Sequence, residues 1–232
     1  MVELLAREVA ALNAEVVKAI PWAPSVGFLV RLYPTEETIG LSREPGVVAA
    51  HVVGDPRDRA LRVYRLWWVA SLGELAPFSR FVLRDQLLGM TRDQLAPRAH
   101  VRMDWWLRQG LGHAYGGPDP GDARRGVCAE PLTWKQMVDG PQMDETMGGG
   151  GGMGVAFAPT YGAFVSSMTP RAFAQARSFV EYLRTVRGDR AYWDLVLAYA
   201  ETPDPNVAYA KALNVSPERF YSDWLLWART RC

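Results

Sequence analysis

The chain has 232 residues, of which 49% are apolar, enough to bury the core of one large domain or of a domain with an added lobe. Its 26 basic and 25 acidic residues are interspersed and give a formal net charge of +1, which argues against a nucleic-acid partner. The sequence contains no run of eighteen apolar residues, so no transmembrane helix is predicted.

Residues 1–57 are predicted to form a small region of mixed helix and strand. An amphipathic helix is expected at 2–20, because apolar side chains recur there at steps of three and four residues. Strands are expected at 28–33 and 47–53, and a further short strand at 39–41.

Residues 58–232 are predicted to be mainly helical. The segment 59–89 is rich in Leu, Trp, Val and Arg and predicts one long helix, or two helices broken near Pro77. Further helices are predicted at 91–96, 101–115, 131–139, 170–187, 189–200, 205–213 and 217–229. Loops are expected at 116–126 and at the glycine run 147–154.

These elements predict a mostly helical α+β fold, in which a mixed helix and strand region precedes a bundle of helices. The composition changes near residue 58, which divides the chain into regions 1–57 and 58–232. We expect the two regions to form one continuous domain.

The sequence has two cysteines, Cys128 and Cys232, and they lack the spacing of a zinc site. Whether they pair with each other is left open. Charged residues interrupt the apolar side chains of the N-terminus, so no signal peptide is predicted. An extracytoplasmic location would require a leader that has been removed, and the sequence assigns no compartment.

Residues 106–115 carry the most informative pattern in the helical region, Trp-Leu-Arg-Gln-Gly-Leu-Gly-His-Ala-Tyr. This segment resembles the Trp-Leu-x-Glu-Gly-Leu-Ala-x-Tyr helix of gluzincins, in particular bacterial peptidase-MA-like zinc metallopeptidase domains. About thirty residues earlier, residues 73–77 read Gly-Glu-Leu-Ala-Pro and resemble a degenerate HExxH motif. Residues 173–183 and the helices after them resemble the C-terminal helices of the same family.

The resemblance implies a zincin-like fold with a helix-borne zinc site. In such a site two histidines four residues apart and a glutamate hold the metal, and a second glutamate is the general base. Here Gly73 and Pro77 occupy the histidine positions and Gln109 occupies the position of the ligand glutamate, while Glu74 keeps the general-base position. Because glycine and proline offer no ligand atom and a neutral amide is a poor zinc ligand, we expect no zinc and no other cofactor.

The resemblance therefore predicts a catalytically inactive metallopeptidase-like domain in which Glu74 is vestigial. We expect it to keep a cleft near Trp106, His113 and Tyr115 that binds a peptide or a protein partner, or to have a structural role. Two alternatives remain. One is an active hydrolase, either with a metal site rebuilt from His113, Glu74 and His100 or with another chemistry in the same cleft. The other is a helical scaffold or assembly domain of a larger protein.

Overall fold

Most of the described chain is helical, as the sequence predicts. A computed structural model describes residues 2–21, 29–33, 52–55, 60–64, 69–71, 74–75, 77–97, 99, 103–115, 122–140 and 168–232. The chain divides into two compact units. Unit 1 comprises residues 1–91 and 143–165, and unit 2 comprises residues 92–142 and 166–232.

Nine helices and five strands lie in the described residues. The helices are α1 (Val2–Ala19), α2 (Pro77–Leu95), α3 (Trp105–Ala114), α4 (Asp122–Ala129), α5 (Trp134–Asp139), α6 (Met168–Tyr182), α7 (Ala191–Glu201), α8 (Pro205–Leu213) and α9 (Pro217–Arg229). The strands are β1 (Leu29–Tyr33), β2 (Val52–Asp55), β3 (Ala60–Tyr64), β4 (Val69–Ser71) and β5 (Glu74–Leu75). A π-helical turn, Leu183–Arg187, continues α6.

Unit 1 begins with α1, which is amphipathic as predicted. Its apolar stripe is almost fully buried: Leu5, Val9, Leu12, Val16 and Ile20. Among the described residues, three ion pairs connect α1 to α2: Arg80 pairs with Glu8 and with Glu15, and Arg84 pairs with Glu15. The apolar stripe and these pairs hold α1 against its own unit.

The strands of unit 1 form two small sheets. In the first sheet β3 is central, parallel to β1 and antiparallel to β2, and in the second β4 pairs antiparallel with β5. The helix predicted over 59–89 is therefore wrong for β3, β4 and β5. A proline disfavours helical geometry in the preceding residue, so Pro77 suits the first position of α2 and not a helix interior.

Two further predictions are wrong. No new helix begins at 91, because α2 continues to Leu95. The loop predicted at 116–126 is replaced from Asp122 onward by α4. The strand expected at 39–41, residues 47–51 of the second expected strand, and the glycine run 147–154 lie outside the described residues.

Unit 2 is organised around the contact between α3 and α6. A Cβ atom placed on Gly110 would lie 2.5 Å from the carbonyl oxygen of Ala176, so only glycine permits the observed approach of the two backbones. Trp106 lies one turn earlier on α3 and packs edge to face against Phe179 of α6, at 5.0 Å between ring centroids. The same indole stacks on Phe220 of α9 at 5.4 Å.

Side-chain caps set the starts of the later helices. Thr133 and Gln136 form a capping box at α5, and the side chains of Asp204 and Ser216 accept backbone hydrogen bonds at the starts of α8 and α9. Each of the last two caps is followed by a proline in the first turn, where no hydrogen bond is lost. These local signals explain why the predicted bounds of both helices match the structure.

Cys128 and Cys232 form a disulfide that the sequence left open. The bond joins α4 to the residues after α9 and closes a loop with a sequence separation of 104. Such bonds persist in oxidising compartments. Among the described residues, no helix combines the length and the apolar character needed to cross a membrane.

Gly110→Ala should destabilise the protein by about 1–3 kcal/mol, because the added methyl group collides with the backbone of Ala176. Helix propensity alone predicts the opposite sign, a gain of about 1 kcal/mol. Urea unfolding followed by tryptophan fluorescence measures the difference. A variant that is more stable than the wild type would show that α3 and α6 do not approach this closely.

Removing the disulfide with Cys128→Ser and Cys232→Ser should lower the free energy of unfolding by roughly 2–5 kcal/mol, because the unfolded chain gains the entropy of an open loop. Urea unfolding of the double variant and of the oxidised wild type gives this difference. A reducing agent should destabilise the wild type and leave the double variant unchanged. Equal midpoints for the oxidised wild type and the double variant would contradict the bond.

Candidate functional site

The residues at the degenerate HExxH positions do not share a helix. Glu74 lies in the short strand β5, and Pro77 is the first residue of α2. Gly73 lies outside the described residues. An HExxH site depends on two ligands four residues apart on one helix face. The helical setting predicted for this segment is therefore wrong at Glu74.

The segment 106–115 does form the helix that the sequence predicts, α3, and this helix belongs to unit 2. Gln109, at the expected ligand position, is partly buried on it. Its Oε1 atom is shielded from water and accepts no hydrogen bond from any described residue. A shielded acceptor without a donor costs about 1–3 kcal/mol. Nε of the adjacent Arg108 is likewise shielded and has no partner among the described residues.

The three residues expected to line a cleft differ in their exposure and in their contacts. Trp106 is 0% exposed and belongs to the aromatic core, so it does not line an open cleft. His113 is 8% exposed and its ring stacks on Phe173 at 4.7 Å between centroids. Tyr115 is partly buried, and the guanidinium carbon of Arg184 lies 4.4 Å from the centre of its ring.

A buried network of hydrogen bonds begins at Asp104, the residue before α3, which belongs to no functional motif of the sequence. The Nε1 of Trp106 donates to the hydroxyl of Tyr209 at 3.2 Å, and this hydroxyl donates to Oδ2 of Asp104 at 2.8 Å. Tyr199 also interacts with the same carboxylate. The aromatic residues of α3, α7 and α8 thus converge on Asp104, which is 5% exposed.

Burial dominates the electrostatics of this region. Burial raises the pKa of Asp104, and the hydrogen bond from Tyr209 opposes that rise. The pKa of Tyr209 is raised well above its ordinary value, first by burial and then by the nearby carboxylate. Burial, reinforced by the positive charge of Arg177, lowers the pKa of His113 to about 4. The imidazole is therefore neutral at neutral pH.

The donor set at the family's ligand positions does not fit zinc. The set consists of a glycine, a proline and one neutral amide oxygen, whereas zinc in proteins takes thiolate, imidazole and carboxylate ligands. Within the described ranges, no group of three or more His, Cys, Asp or Glu side chains is placed to hold a metal ion. His51 and His100 lie outside those ranges, so the alternative site that includes His100 stays a prediction.

No protein-family model, curated protein or solved structure matches the chain.

The lowered pKa of His113 predicts a pH-dependent stability. The imidazole binds its proton with a pKa near 6.5 in the unfolded state and only near 4 in the folded state. The stability that depends on an unprotonated His113 is therefore complete above pH 6.5 and is lost as the pH falls towards 4. Between pH 7 and pH 5 the residue should account for a loss of about 2 kcal/mol. His113→Phe, which keeps a ring against Phe173, should remove this part of the dependence.

Urea unfolding of the wild type and of His113→Phe at pH 7 and pH 5 measures the effect. Phe173→Leu is the matched control, because it changes the ring contact and leaves the imidazole in place, so its stability should still fall with pH. The same fall in the wild type and in His113→Phe would contradict a buried, neutral His113.

Proposed function

We propose that the chain is a catalytically inactive domain of the metallopeptidase-like type, which binds a peptide or protein segment beside α3 and does not cleave it. The proposal draws on the similarity of residues 106–115 and of the C-terminal helices to that family. It assigns Gln109 the position of the lost ligand and leaves Glu74 without a metal-bound water to deprotonate.

The observation that carries the proposal is the shielded Oε1 of Gln109, which has no donor among the described residues. A bound segment could reach this oxygen only if the groups that shield it moved aside. A backbone N–H group of the segment would then supply the donor and remove the cost of leaving the acceptor unsatisfied. A neutral amide suits this role, because it can accept one hydrogen bond and donate another to an extended chain. A carboxylate at the same position would favour a cation.

The proposed inactivity predicts that the purified chain retains no stoichiometric zinc after dialysis and does not hydrolyse peptides, because the ligand positions lack donors. Elemental analysis after exposure to zinc measures the first property, and a fluorogenic peptide mixture measures the second. Stoichiometric zinc that is lost in His113→Ala would overturn the proposal in favour of an active hydrolase with a rearranged metal site.

A restoration experiment tests the family relationship separately. Gly73→His, Pro77→His and Gln109→Glu together return three zinc ligands and should create zinc binding if the segments are arranged as in the family. The matched control carries both histidines with Gln109→Ala, which lacks the third ligand, and should bind zinc more weakly. A folded triple variant that binds no more zinc than this control would exclude the family arrangement.

Peptide binding has its own measurement. The side-chain amide resonance of Gln109 should shift when a mixture of short unstructured peptides is added, while that of Gln136 should stay unchanged because its side chain is already engaged in the cap of α5. A Gln109 resonance that does not move would contradict the binding role. Size-exclusion chromatography would then test the remaining alternative, a scaffold that assembles with itself.

A further inference from the structure

A pocket in unit 2 lies outside the segments compared with the metallopeptidases' zinc site. Its walls are the end of α4, the middle of α6, and the last turn of α9 with the residues that follow. Its cavity volume is about 60 Å³. A single water needs a cavity of only about 10–15 Å³, so the pocket has room for a small polyatomic ligand.

The described lining of this pocket is strongly basic. Arg124, Arg177 and Arg231 each come from a different wall, and Glu181 is the one acidic side chain among the described lining residues. The lining side chains thus have an excess of two positive charges, which the terminal carboxylate of Cys232 reduces to one in the 232-residue chain. The carboxylate of Glu181 is held by Nε of Arg177 at 2.7 Å, so this pair is already compensated. The excess therefore comes from Arg124 and Arg231.

Two tryptophans, Trp227 and Trp224, contact the hydrogen-bond donors of the pocket. The guanidinium carbon of Arg231 lies 4.4 Å from the ring centre of Trp227, which supports the planar group from one side. The hydroxyl of Ser178 accepts a hydrogen bond from Nε1 of Trp224 at 3.0 Å, so its own proton can be donated elsewhere. Guanidinium and hydroxyl donors of this kind are typical of oxyanion sites.

The disulfide holds the two outer walls together. Cys128 and Cys232 both line the pocket, and Cys232 directly follows Arg231 in the chain. The bond therefore keeps Arg231 close to α4 and to Arg124. A site whose walls are held in place before the ligand arrives loses less conformational entropy on binding.

We propose that this pocket is a binding site for a phosphate-type oxyanion. The positive excess of the lining favours an anion, and the guanidinium groups and the hydroxyl of Ser178 supply donors for several oxygens. The site does not depend on the proposed metallopeptidase-like function, since it uses none of the residues assigned there.

Calorimetric titration of the intact, oxidised protein at constant ionic strength tests the site. Inorganic phosphate and sulfate should bind, and acetate, with one charge, should bind at least about tenfold more weakly. Phenyl phosphate distinguishes two sources of the ligand. Tighter binding than inorganic phosphate indicates a phosphate monoester, and equal or weaker binding indicates the free ion. The absence of measurable binding by both phosphate compounds would overturn the proposal.

Variants locate the site. Arg124→Gln and Arg231→Gln should each weaken phosphate binding about tenfold or more, whereas Glu181→Gln should strengthen it by removing the negative charge. Arg229→Gln is the matched control, because Arg229 is an exposed arginine of α9 that does not line the pocket. If Arg229→Gln lost as much phosphate affinity as the two pocket variants, net charge alone would explain the effect, and the site would be overturned.

Discussion

The close approach of α3 to α6 is the constraint on which the second unit depends. Because Gly110 brings the α3 backbone against the carbonyl of Ala176, the aromatic side chains on either side of that point must interlock. Trp106 and Phe179 meet edge to face, and Phe179 meets Trp224 of α9 in the same way at 4.4 Å. A larger residue at 110 would separate the helices and leave these rings without their partners.

The same packing buries the carboxylate of Asp104. Removing Asp104 from water is costly, and the hydroxyl of Tyr209 supplies a hydrogen bond that offsets part of the cost. Since Tyr209 lies on α8, the carboxylate also ties the start of α3 to that later helix. Apolar packing has no preferred direction, whereas these hydrogen bonds fix the position of Tyr209 relative to Asp104 and Trp106.

The sequence predicts the C-terminal helices well and the segment before α2 poorly, for different physical reasons. Asp204 before Pro205 and Ser216 before Pro217 are local signals that act within one turn, so they can be read without knowledge of the fold. The strands between residues 60 and 75 are two to five residues long, too short for an alternating pattern to be distinguished from an apolar helix. The parallel pairing of β3 with β1 also depends on a partner distant in the chain, with Ala60 opposite Leu29, which composition does not reveal.

Packing alone accounts for most of the residues that make α3 resemble a zinc-ligand helix. Trp106, Leu107, Gly110 and Leu111 are all buried, so packing accounts for apolar or small residues at these positions without any metal. The indole of Trp106 fills the aromatic core, and the carbonyl of Leu107 accepts a hydrogen bond from Tyr192 at 2.7 Å. Gly110 permits the helix contact. The part of the motif that packing does not explain is Gln109, whose shielded amide oxygen lacks a donor among the described residues. A functional argument about this helix therefore rests on that one side chain, and the sequence alone could not show that its amide oxygen is shielded and lacks a donor among the described residues.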